Sequence, residues 1–274
     1  MACIASSTCI NEEVVCQTPE SPKSDTLQNV AKQLQYYTSL TTAKEETHQN
    51  EDEHGTSSNP IAVESAPAKI SDQFSCADSR NRRAAVLVCI FVGQEGELRV
   101  VLTKRSMKLF SHPGEVALPG GKMEEIDADD YSATALREAM EEIGLDPDLV
   151  QVVANLEPFF SQHLLMVVPV LGLLARIEDF KPVLNTEEVD AIFDVPLEMF
   201  LKENSHRCEE REWQQWKYAV HLFDYESEQG AFLIWGLTAS ILIRAASIVY
   251  QRSPPFAKHL PDFQQLQLAL NTVA

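Results

Sequence analysis

Between residues 84 and 92 the chain runs Ala-Ala-Val-Leu-Val-Cys-Ile-Phe-Val with no charged position, which predicts a strand buried on both faces. Gly93-Gln-Glu-Gly96 supplies turn chemistry and Leu98-Arg-Val-Val-Leu-Thr-Lys104 returns as a second strand, so a hairpin is expected. A loop holding His112, Pro113, Gly114, Pro119, Gly120 and Gly121 follows, and then apolar positions at helical spacing predict a helix from about Tyr131 to Ile143. Gly144 directly after it suits a left-handed C-terminal cap. Further strands are expected over 150–156 and 165–174, a pair near 217–223 and 231–235, and a closing helix from about Gly236 to Tyr250. Helices interleaved with strands and hairpins indicate an α/β layered domain built on a mixed sheet.

The first 80 residues have a different texture. They are rich in Ser, Thr, Glu, Asp and Gln, and the stretch from Glu45 to Gly55 has almost nothing to bury, so most of the segment is expected to be disordered. Within it, Leu27, Val30, Leu34 and Tyr37 fall near helical spacing. A helix over about 26–40 could dock on the main domain or form only transiently in solvent. The expected organisation is an acidic segment over 1–80, a folded domain over 81–255 and a tail over 256–274.

Charge narrows the function classes. With 41 acidic against 22 basic residues the formal net charge is −19, which argues against a broad grip on a nucleic-acid backbone. A small anionic substrate stays compatible if metal ions carry the positive charge. The six cysteines form no CxxC pair and read as reduced thiols. The longest apolar stretch, Ala231 to Tyr250, contains Arg244, two serines and a threonine, and Leu164 to Ala175 is cut by Pro169 and Gly172, so no membrane span is expected. The stretch from Met1 to Glu12 has no basic residue, unlike a secretory or transit leader, which makes the cytosol the expected compartment.

The chemistry is concentrated between Arg137 and Leu145, which read Arg-Glu-Ala-Met-Glu-Glu-Ile-Gly-Leu. On a helix Glu138, Glu141 and Glu142 stand at i, i+3 and i+4 and share one face, where like charges repel unless a hard cation with oxygen ligands compensates them. Taken alone, the commoner explanation of such a pair is a solvated face. The upstream Leu118-Pro119-Gly120-Gly121 shifts the balance, because a glycine-rich turn lets backbone approach a metal or a phosphate closely.

These residues resemble the box of the Nudix hydrolases: Gly, five residues, Glu, seven residues, Arg-Glu, aliphatic, any residue, Glu-Glu, any residue, Gly, aliphatic. From Arg137 onward the match is complete, with Ala139 standing for the aliphatic residue. The front half departs, with two residues more between Gly121 and Arg137 and with Asp127 or Asp129 in place of the first Glu. Leu102-Thr-Lys-Arg-Ser106, His112-Pro-Gly-Glu-Val116 and Leu118-Pro-Gly-Gly-Lys122 look like the added signature of coenzyme A diphosphatases, most closely in the manner of plant members. Many relatives carry an arginine where Phe110 stands.

The resemblance implies a Nudix-type α/β/α sandwich and Mg²⁺ or Mn²⁺ held by Glu138 and Glu142, with Glu141 as a further ligand or as orienter of the attacking water. The carbonyl of Gly120 or Gly121 lies nearby in the family, and Arg137 pairs with the upstream Asp. Arg105 is favoured over Lys104 for a phosphate contact, since its planar fork suits phosphate, against the alternative that both are strand-end solubilisers. His112 and Glu115 belong to the signature, yet His112 could simply bond backbone in its loop. Glu188 is placed where relatives carry a general base, against the plainer reading as a surface carboxylate. Trp213 and Trp216, near His221, read as core or dimer contacts more readily than as an adenine wall, and Glu157 is a weak candidate to reach the metal.

The expected activity is hydrolysis of the diphosphate in coenzyme A or its acyl esters, with a small molecule as partner, no nucleic acid, no membrane, and a homodimer left open. The alternatives are the same chemistry on ADP-ribose, NADH or an oxidised nucleotide, and a silent Nudix domain that only binds.

Overall fold

The computed structural model describes residues 25–35, 82–161, 165–213 and 216–256, and of Trp213 and Trp216 the backbone alone. The expectations for the rest of the N-terminal 80 residues, for 257–274 and for an adenine wall at the two tryptophans lie outside the described residues.

The wholly apolar segment forms the central strand β1 (Arg83–Val92). It pairs antiparallel with β2 (Leu98–Arg105) and parallel with β7 (Met166–Leu174), so the sheet is mixed. Around these lie β3 (Val116–Ala117) on β2, β4 (Gly120–Lys122) on β1, β5 (Val150–Asn155) and β6 (Phe159–Phe160) on β7, and β8 (Val189–Pro196) on β2. A separate antiparallel sheet has the order β11 (Gly230–Trp235), β10 (Trp216–Ser227), β9 (His206–Trp213).

Both faces of β1 are buried, as its composition predicts. Ala85, Leu87, Cys89 and Phe91 join a core that includes Ala135, Ala139 and Ile143 of helix α2 (Tyr131–Ile143). Ala84, Val88, Ile90 and Val92 point the other way, into a core shared with helix α3 (Gly236–Val249). Strand alternation thus separates two layers, giving the expected α/β/α arrangement.

Helix α1 (residues 25–35) belongs to the second layer. Leu27, Val30, Ala31 and Leu34 are buried in the α3 core, and Leu34 is fully inaccessible. Gln33 Nε2 donates to the carbonyls of both Ile248 and Val249 at 2.9 Å, at the end of α3 where carbonyls run out of intrahelical partners; Ile248 also accepts the Gln251 N–H at 3.4 Å. In the structure the helix takes the docked form.

Five strands lie outside the sequence reading: the short β3, β4 and β6, then β8, which reads Val-Asp-Ala-Ile-Phe-Asp-Val-Pro, and β9, which reads His-Arg-Cys-Glu-Glu-Arg-Glu-Trp, with Arg207 through Glu210 exposed on the edge of the small sheet. An edge strand facing water carries charges, so it has no apolar signature to find. Met166–Leu174, within the second apolar stretch, is β7, and among the described residues no helix is long and apolar enough to cross a membrane.

His206 on β9 meets His221 on β10, with 2.9 Å between Nε2 and Nδ1, and stacks on Phe256 at 3.8 Å. Burial pushes His206 down to about 4, aided by His221 and opposed by Glu203, and lowers His221 as well. Both imidazoles are thus neutral in the fold and charge more readily when unfolded. Their contribution is complete above about 6.5 and is lost as pH falls toward about 4. A melting series across that window is expected to show a steeper acid decline for the wild type than for His206→Gln.

Candidate active site

Helix α2 starts where Asp130 accepts the Ser132 N–H at 2.8 Å and ends where Gly144 takes φ 70. Its apolar side is pressed onto the sheet, which aims Glu138 and Glu142 at the β4 turn. The two glycines there are required by space. A β-carbon on Gly120, at φ 148, would lie 2.3 Å from the Ala85 carbonyl oxygen, and one on Gly121 would lie 2.5 Å from the Glu138 carboxyl carbon. The Gly120 N–H donates to Glu142 Oε2 at 3.2 Å.

Glu142 is only 5% exposed. Burial pushes its carboxyl up to about 8, with Glu138 and Glu188 adding repulsion and the Gly120 N–H and Arg105 opposing the rise. Burial also raises Glu138, against the pull of Arg137. Glu138 Oε1 also meets Arg137 Nη2 at 3.1 Å, so Glu142 is the carboxylate left without a cationic partner among the described residues, and the pair beside the glycine turn offers the hard oxygen donors that suit a divalent cation such as Mg²⁺ or Mn²⁺. Glu141 is the most exposed of the three; its Oε2 meets Arg137 Nη1 at 3.2 Å, and it adds repulsion at Glu138. Among the described residues no three His, Cys, Asp or Glu side chains gather as a ready metal cluster. The other coordination positions would fall to backbone oxygen, water and substrate phosphate, the usual complement of Mg²⁺.

Arg137 finds Asp127, through Nε to Oδ1 at 2.9 Å and Nη2 to Oδ2 at 3.1 Å. Thr134 Oγ1 donates to the same carboxylate at 3.0 Å, while Asp129 takes Arg83. Of the two sequence candidates, Asp127 is therefore the brace. Arg137 holds Asp127 below the usual carboxylate range, and its Nη2 also reaches the Lys122 carbonyl at 3.1 Å. It clamps the insertion-bearing loop onto α2.

On the opposite wall, a register shift between Lys104 and Arg105 ends β2. Arg105 Nη2 donates to the Ser111 carbonyl at 3.3 Å, but its buried Nε has no hydrogen-bond partner among the described residues. Lys104 stays in register between Val116 and Ala191. His112, at φ 55, pairs with Glu115 across 3.0 Å, so it braces its own loop. Glu188 is tied into the wall: its carbonyl accepts the Ser106 N–H at 2.8 Å, and its Oε1 accepts Asn185 Nδ2 at 3.3 Å. Glu188 raises both Glu138 and Glu142, which puts it within electrostatic reach of the two. Glu157 instead pairs with Arg244 of α3. Asn185 escaped the sequence reading; its place beside an acid in a Pro-Asn loop was the only signal.

A family model described as the NUDIX domain matches residues 81–232. The chain is 59% identical over 183 residues to "Nudix hydrolase 15, mitochondrial" of Arabidopsis thaliana, covering 67% of this chain and 64% of that protein. It is 57% identical over 185 residues to "Nudix hydrolase 22, chloroplastic" of the same plant, covering 68% and 61%. The matches thus span less than two thirds of both plant relatives. A third relative, "Peroxisomal coenzyme A diphosphatase NUDT7" of Mus musculus, is 38% identical over 178 residues, covering 64% of this chain and 74% of that protein. With its box glutamates set against a Gly-Gly turn and the family model covering more than half of its length, the chain belongs to the Nudix hydrolases.

Proposed function

We propose that this chain hydrolyses the diphosphate of coenzyme A or its acyl esters to 4′-phosphopantetheine and adenosine 3′,5′-bisphosphate. The observation that carries the chemistry is the placement of Glu138 and Glu142 against Gly120 and Gly121, with Glu142 within electrostatic reach of Arg105. The substrate assignment is supported by the Leu102 to Ser106 signature and by the likeness to a relative named as a coenzyme A diphosphatase.

Glu138 and Glu142 would hold the divalent ions, which when bound withdraw charge from phosphorus and lower the pKa of water. Arg105 is read as donating to a phosphate oxygen, orienting the diphosphate along the wall. Asn185 occupies one oxygen of Glu188 and leaves the other to accept the proton of the attacking water. That water's oxygen bonds to phosphorus as the bridging P–O bond breaks, and no covalent enzyme intermediate is needed. Glu141, turned to solvent, is the second candidate for orienting the water.

Product identification from coenzyme A in Mg²⁺ or Mn²⁺ tests the reading. Equal or faster turnover of ADP-ribose, NADH or an oxidised nucleotide would reassign the substrate, and no turnover of any would favour a binding domain. Arg105→Lys is expected to raise KM by about tenfold with a smaller change in kcat, since it keeps the charge but loses the fork. The cytosolic assignment faces two plant relatives bearing organelle names. Imaging a fluorescent fusion of the full chain decides it, and light scattering decides whether the chain forms a homodimer.

A further inference from the structure

The loop between β2 and β3, residues 106–115, carries an open aromatic ring. Phe110 is wholly exposed, and Met107 is largely so. A lone apolar side chain on a loose surface needs no explanation, but this loop is tied at its base and along its length. The Arg105 N–H donates to the Glu115 carbonyl at 2.9 Å, and the Gly114 N–H returns to the Arg105 carbonyl at 3.1 Å. The Leu109 N–H reaches the Ser106 carbonyl at 3.2 Å, the Met107 N–H reaches Asp190 Oδ2 at 3.1 Å, and Lys108 Nζ meets Glu187 Oε1 at 2.7 Å. A β-carbon on Gly114, at φ 73, would lie 2.6 Å from Met107 Sδ, so Met107 folds back over its own loop. Phe110 is the apolar side chain that the loop presents outward.

The same loop borders the diphosphate site. Arg105 Nη2 donates to the carbonyl of Ser111 at 3.3 Å, and Phe110 is the residue before it, one peptide or about 3.8 Å of chain away. Arg105 lies within electrostatic reach of Glu142, and the Ser106 N–H donates to the Glu188 carbonyl at 2.8 Å. A phenyl ring has neither charge nor donor to offer a phosphate. What it offers is a π-face, on which a nucleobase stacks. In coenzyme A the base stands one ribose from the diphosphate, whereas the thiol lies beyond the whole pantetheine arm. A ring beside the guanidinium that takes the phosphate therefore meets the base end.

We propose that Phe110 is a specificity-determining residue of the diphosphate site, its ring stacking on the nucleobase of the bound substrate. This rests on the reading of a base-bearing diphosphate given above, and it needs the base rather than the pantetheine.

Calorimetric titration of the full chain in Mg²⁺ with adenosine 3′,5′-bisphosphate and with 4′-phosphopantetheine separates the two ends. Phe110→Ala is expected to weaken adenosine 3′,5′-bisphosphate by about tenfold and to leave 4′-phosphopantetheine as in the wild type. Phe110→Trp is expected to bind at least as tightly as the wild type, while Phe110→Leu, apolar without a π-face, falls with alanine. Because the ring is exposed, all three variants are expected to melt with the wild type. In turnover of coenzyme A the alanine variant is expected to raise KM by a similar factor, with kcat near wild type. The proposal is overturned by unchanged adenosine 3′,5′-bisphosphate affinity in Phe110→Ala, by an equal or larger loss for 4′-phosphopantetheine, by a leucine variant that binds like the wild type, or by a wild type that binds no adenosine 3′,5′-bisphosphate. Cleavage of ADP-ribose in place of coenzyme A would remove the coenzyme A reading alone. Phe110→Ala must then raise KM for ADP-ribose, and an unchanged KM overturns the ring contact.

Discussion

Glu142→Gln is expected to cut metal-dependent turnover by on the order of a thousandfold or more while leaving the chain folded. Glutamine keeps the shape and the acceptor for the Gly120 N–H but cannot offer an anionic ligand. The same substitution has a stability signature. Burial raises the folded-state carboxyl from an ordinary 4.5 to about 8, so between those values the folded protein binds a proton that the unfolded chain releases. Stability therefore falls as pH rises through that window. In metal-free buffer the variant is expected to melt above the wild type at pH 8 and beside it at pH 4. Added Mg²⁺ should raise the wild-type melting temperature and leave the variant unmoved, since only a ligand that binds the native state stabilises it. Persistence of turnover in the variant would remove Glu142 from the site.

Leu34→Ala should lower the melting temperature by on the order of 10 °C, the effect of deleting a fully buried leucine from a domain of this size. Helix α1 contributes Leu27, Val30, Ala31 and Leu34 to the core under α3 and caps its last carbonyls through Gln33. The consequence reaches the site only indirectly. Thr238 of α3 donates to the Val116 carbonyl at 3.2 Å, on the strand that leads into the Gly-Gly turn. Turnover per folded molecule at low temperature is therefore expected to stay near wild type, with the loss appearing on warming. An unchanged melting curve would mean that α1 does not dock in solution.

Legibility varied with the source of the signal. The helix α2 matches its expected bounds, Tyr131 to Ile143, because apolar periodicity, the Asp130 cap and Gly144 are all local. β9 was not legible, because a charged edge strand owes its conformation to β10 across from it. The three glutamates illustrate both cases. Their spacing put them on one face, where Arg137 holds both Glu138 and Glu141, at 3.1 and 3.2 Å, while only Glu138 and Glu142 lie against the glycines.

The sequence by itself determined the layered α/β class, the acidic helix, the glycine turn before it and the two-residue departure from the family box. Each is written in local spacing, since the side a residue faces follows from the period of its own element. Tertiary structure decided the rest. A short 3-10 turn over Glu125–Asp127 and left-handed Ala128 and Asp129 select Asp127 for Arg137 and leave Asp129 to Arg83. The loop carrying Asn185 brings Glu188 within reach of residues some fifty positions earlier, and α1 finds a groove more than two hundred positions later. Partners so far apart meet only when strand pairing has set where the loops end, and no local period encodes that.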